Sequence, residues 1–96
     1  LYSKDETIEM LVKSARGLFE SAARGEIAAR NLKVTPTQFV EYCDCFEKHI
    51  EVHLRSGRYE DILTRLINKK TVDEDVNVMS TINSLAKEEC AYNIRP

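Results

Sequence analysis

The stretch TPTQFVEYCDCFEKHIEVHLRSG, Thr35 to Gly57, decides the fold. It opens on Thr35-Pro36-Thr37-Gln38, a capping box. The Thr hydroxyl accepts from the backbone N–H three residues on, and the Gln side chain reaches back to the cap. Pro36 takes the first helical position, where a missing N–H costs nothing. The stretch closes on Arg55-Ser56-Gly57, a basic last turn followed by a residue that accepts positive φ. Between these marks Phe39, Cys43, Phe46, Ile50 and Leu54 recur at three-and-four spacing, so the segment reads as a helix over about 36–55.

The same punctuation recurs outward. Ser3-Lys4-Asp5-Glu6 and Thr71-Val72-Asp73-Glu74 are two further boxes. The first starts a helix over about 4–24, with Ile8, Leu11, Val12, Ala15, Leu18, Phe19 and Ala22 on its apolar face. Gly25 reads as its stop, and a short helical turn over 26–32 follows. A third helix runs over about 58–70, with Tyr59, Ile62, Leu63, Leu66 and Ile67. A fourth runs over about 72–92, with Val76, Met79, Ile82, Ala86 and Cys90. No segment alternates with period two. The fold class is therefore all-α: a compact bundle of four main helices plus a short helical turn after the first.

The 96 residues make one domain, and the start at Leu1 reads as a domain cut from a longer protein. With 43% hydrophobic and 31% charged residues, the chain belongs with globular proteins. No apolar run approaches the ~20 residues that cross a bilayer, so no membrane insertion is expected. Fourteen basic residues are interspersed with sixteen acidic ones, for a net charge of −2. This lacks the basic surplus of a nucleic-acid binder. The place for phosphate contacts, as the alternative function, is a modest cluster around helix three: Arg55, Arg58, Arg65, Lys69 and Lys70. The three cysteines are an odd number, and Cys43 and Cys45 point to different sides of one helix. That pattern reads as free thiols in a reducing compartment, cytoplasm or nucleus, and not as a disulfide framework.

The run Arg55–Leu63 resembles the helix corner of a tetratricopeptide repeat. Ile50 and Ile62 stand where that family needs small residues, and helix two is too long. The chain is not assigned to it.

CDCFEKHIEVH, Cys43 to His53, gathers two cysteines and both histidines. Cys45, His49 and His53 lie four apart and share a helix face. All three cannot reach one ion, because the outer pair is ~12 Å apart along the axis. A set of His49, His53 and one of Cys45 or Cys90, completed by a carboxylate, is the alternative to the preferred expectation of no metal and no cofactor. No glycine-rich loop or oxyanion site accompanies Cys45 and His49, so the chain is not expected to be an enzyme.

The width of the apolar stripe on helix two is its most informative feature. Tyr42, Cys45, His49, Val52 and His53 lie beside the core set, and together the two sets cover roughly 200° at ~100° per residue. Helix four is widened in the same way by Val78, Ile82 and Leu85. Either helix two lies at the centre of the bundle, or part of this width is a groove. The second reading makes the chain a non-catalytic protein-interaction module, an adaptor or regulatory domain. It would bind another protein's helix, or itself, through Tyr42, Cys45, His49, Val52, His53, Val78 and Leu85, with Tyr92, Ile94 and Pro96 extending the surface.

Overall fold

A computed structural model describes residues 3–95. The order is α1 Lys4–Ala29, α2 Pro36–Arg55, α3 Glu60–Ile67 and α4 Asp73–Cys90, with a 3₁₀ turn at Ala91–Ile94. Among the described residues there is no strand. The chain is an all-α bundle.

The first two caps form as the sequence implies. Ser3 accepts from the Glu6 N–H at 3.1 Å and Thr35 from the Gln38 N–H at 3.1 Å, and both third residues reach back. The third start is one residue later than expected. Val72, which has no side-chain acceptor, is the N-cap of α4, and Asp75 takes its N–H at 3.1 Å. Asp75 is buried against Arg65, and that pairing sets the start of the helix.

Gly25 does not stop α1. The residues over 26–32 that read as a separate turn are mostly the last turn of α1 and its cap. Ile27 follows Ala23 by four residues and packs against the core. Burying it outweighs the ~1 kcal/mol that a mid-helix glycine costs. The stop lies at Asn31, whose φ is 52°. Its N–H reaches Ala28 O at 3.1 Å and that of Leu32 reaches Ile27 O at 3.0 Å, a Schellman pair. Lys69, with φ 57°, ends α3 in the same way: its N–H bonds Leu66 O and that of Lys70 bonds Arg65 O. Helix three is accordingly shorter than its apolar pattern. Gly57, with φ 87°, breaks the chain after α2.

Helix α2 is the central strut, with α1 packed on one flank and α4 and the 3₁₀ turn on the other. Its wide stripe is mostly core for that reason. Tyr42, Cys43, Phe46, Ile50 and Leu54 are each 2% exposed or less. Ile8, Val12 and Phe19 meet them from α1, and Ile82, Ala86 and Cys90 from α4. The Phe19 and Phe46 rings stack with centroids 3.9 Å apart, and Phe19 also meets Tyr42 at 4.8 Å. α3 lies against α1, with Leu63 reaching the core.

Ion pairs border the α1–α2 seam. Arg16 reaches Glu20 at 2.8 Å, Asp44 at 2.6 Å and Glu47 at 2.5 Å. Arg55 bonds Asp5 at 2.6 Å, and Lys4 pairs with Glu60 across α1 and α3.

Two expectations about apolar faces are corrected. Leu18 is 75% exposed and Val76 is 69% exposed, although both fall within the helical patterns. On α1 the buried line is Ile8, Val12, Ala15, Phe19 and Ala23. Leu18 lies roughly 100° around the helix from that line, so its side chain points away from the buried seam. On α4 the buried first-turn position belongs to Asp75, and that turns Val76 outward.

The cysteines require a third correction. Cys45 and Cys90 are joined by a disulfide, with their Cα atoms 5.8 Å apart. Their helices, separated by 45 residues in sequence, lie side by side, a proximity that residue spacing alone does not reveal. Cys43 is free and buried, as its core position implies.

Candidate functional site

Two surface features carry chemical information. One is an apolar track on the outer face of α1. Thr7, Met10, Leu11 and Ser14 form one wall of a cleft of about 330 Å³, and Leu66 and Ile67 of α3 form the other. One turn further on, Leu18 and Ala22 face Ser80 and Ser84 of α4 across a second cleft of about 230 Å³, floored by Phe19 and Phe46. Residues 11, 14, 18 and 22 recur at three-and-four spacing and share one helix face. The two clefts therefore follow one line along α1. The α1–α4 gap is spanned at its far end by Lys87 and Glu26, 2.8 Å apart.

The second feature lies on the α2–α4 seam. The Cys45 and Cys90 sulfurs and a ring nitrogen of His49 lie within 4.8 Å of one another. Glu89 joins this group from α4. Its Oε1 is 3.3 Å from His49 Nδ1 and 2.7 Å from His53 Nε2. The hydrogen bond from His53 holds the Glu89 carboxyl below its ordinary range, with a smaller contribution from His49. The Tyr92 hydroxyl stands 3.8 Å from Cys45 Sγ.

The residues proposed from sequence as a partner surface are divided by the fold. Tyr42 is core, and burial pushes its hydroxyl pKa up. Cys45, His49 and His53 face α4. Val78 is half-buried, Leu85 is at the margin of exposure, and Val52 is 59% exposed. Ile94 is buried and Tyr92 is exposed; Pro96 lies outside the described residues. The α1 track was hidden in the sequence because Leu11 and Leu18 carry the same helical period as the core line.

The basic cluster is partly neutralised within the chain. Arg65 is bound to Asp75, and Arg55 to Asp5 and Glu51. Arg58, Lys69 and Lys70 are exposed. Burial pushes the free Cys43 thiol above its ordinary pKa, which makes it a poor nucleophile. No helix among the described residues is long and apolar enough to cross a membrane. Comparison with family models, curated proteins and solved structures finds no match.

Proposed function

We propose that the chain is a non-catalytic protein-interaction module, an adaptor or regulatory domain, that receives the apolar face of a partner's amphipathic helix along the outer track of α1. The observation that carries this reading is Leu18. It is a large aliphatic side chain left three-quarters exposed on the wall of the second cleft, next along α1 from the first. Met10, nearly half exposed, extends the apolar line toward the N-terminus of α1. From Met10 to Ala22 the track is ~18 Å long, enough for about three turns of a docked helix. Such a helix would place anchors at i, i+3 or i+4, and i+7 against Met10, Leu11 and Leu18. Met10 adds an adaptable thioether to the surface.

The test is selection of helical peptides from a display library against the whole chain, followed by binding to two variants. Leu18→Glu is expected to lose binding by tenfold or more while keeping its helix content. Val52→Glu, on the outer face of α2, is expected to bind as the parent does. The reverse pattern would move the site to α2. Failure to select any helical peptide would remove the proposal.

A further inference from the structure

The geometry points to a zinc site on the α2–α4 seam in the reduced protein, with Cys45, His49 and Cys90 as its ligands. These three donors come from two helices and already lie within 4.8 Å of one another. Thiolates and imidazole are the donor set that zinc prefers, and ligands from two separate segments are its usual arrangement. Cys45 and His49 are four apart on α2, the helical spacing that brings two ligands to one ion. Among the described residues no fourth donor belongs to the cluster, and water takes the fourth position. Glu89 supplies the outer support. Its carboxylate accepts from the His49 ring, the partner that orients a metal-bound imidazole. His53 binds the same carboxylate and stays outside the cluster.

The disulfide and the metal exclude each other, since each needs the two sulfurs. A thiol reductant converts one state to the other. Its thiolate attacks one sulfur of the Cys45–Cys90 bond to form a mixed disulfide and releases the other as a thiolate. Its second thiol then displaces the remaining cysteine and leaves as the oxidised reductant. The two freed cysteines bind zinc as thiolates and give up two protons to solvent, while His49 binds neutral. The seam is thus held by a covalent bond when oxidised and by a metal when reduced.

The test is titration of the whole reduced chain with cobalt(II), then displacement by zinc(II), followed by optical absorption. One cobalt per chain with a four-coordinate, thiolate-ligated spectrum is expected in the parent and in Cys43→Ala. The oxidised chain is expected to show none. Cys45→Ser and Cys90→Ser should weaken binding at least about 100-fold, and Glu89→Ala about 10- to 100-fold. Cys90 is buried and its variant could unfold, so His49→Ala, whose ring is about a third exposed, carries the decision. Equal affinity in His49→Ala and the parent would overturn the assignment. So would the absence of a four-coordinate spectrum in the reduced parent. Should reduction unfold the chain, refolding on metal addition supports the site and failure to refold rejects it.

Discussion

Arg65 grips the Asp75 carboxylate with two nitrogens, Nε at 2.9 Å and Nη2 at 2.6 Å, while the same carboxylate caps the start of α4 through the Val72 N–H. One buried side chain thereby fixes the angle between α3 and α4, two helices that otherwise share little contact. The bond from Arg65 holds the Asp75 carboxyl below its ordinary range. A depressed acid contributes stability that is complete above its unfolded pKa, about 4, and is lost as pH falls through the folded value. Urea unfolding across an acid series should show stability falling below about pH 4. In Asp75→Asn the neutral-pH stability should be lower and the acid loss shallower. An unchanged acid profile in that variant would remove Asp75 from this role.

The Cys45–Cys90 bond closes a loop of about 45 residues. In the chain-entropy model such a loop is worth up to ~4 kcal/mol. Reduction without metal should lower the urea midpoint markedly. It should do nothing in Cys90→Ala, whose unfolding is already that of an unlinked chain.

Two glycines that each closely follow a basic residue near a helix-end signal should respond oppositely to alanine. Gly25 lies inside α1 with open space where a Cβ would stand, so Gly25→Ala should stabilise by about 1 kcal/mol. Gly57 adopts φ 87°, so Gly57→Ala should destabilise by about 1–2 kcal/mol. Lys69, a non-glycine at positive φ, should gain from Lys69→Gly by some tenths of a kcal/mol up to about 1. Thermal melts of the three single variants test all three signs.

Much of the fold was legible because it is written locally. The boxes at Ser3 and Thr35, Pro36 and Gly57 act through neighbours in sequence, and each lies where its chemistry requires. What escaped the sequence depends on long-range placement. Cys45 and Cys90 read as unrelated thiols until two helices bring them together. Val72 became the cap because Asp75 is claimed by Arg65. Gly25 read as a stop because Arg24-Gly25 has the same local form as the real stop near Gly57. The burial of Ile27 carries α1 on through Gly25, whereas Gly57 takes the positive φ that ends α2. The residues read from sequence as a partner surface are divided between core and surface for a related reason. Helical period identifies faces, but which face a neighbour covers is decided by the packing of α1 and α4 against α2.

Core and track residues should differ sharply on truncation. Ile50 is fully buried, and Ile50→Ala should cost about 2–5 kcal/mol. Leu18→Ala removes an exposed side chain and should change stability by less than about 0.5 kcal/mol. Comparable losses at both positions would place Leu18 in the core.

The account rests on α2 being enclosed by α1 and α4 while the outer side of α1 stays open. Methyl NMR of the whole oxidised chain with an inert, soluble paramagnetic probe reads this directly. The Leu18 methyls should be strongly broadened together with those of Val52 and Val76, and those of Ile50, Leu54 and Ile82 should be untouched. Protection of Leu18, or broadening of Ile50 and Leu54, would contradict the account.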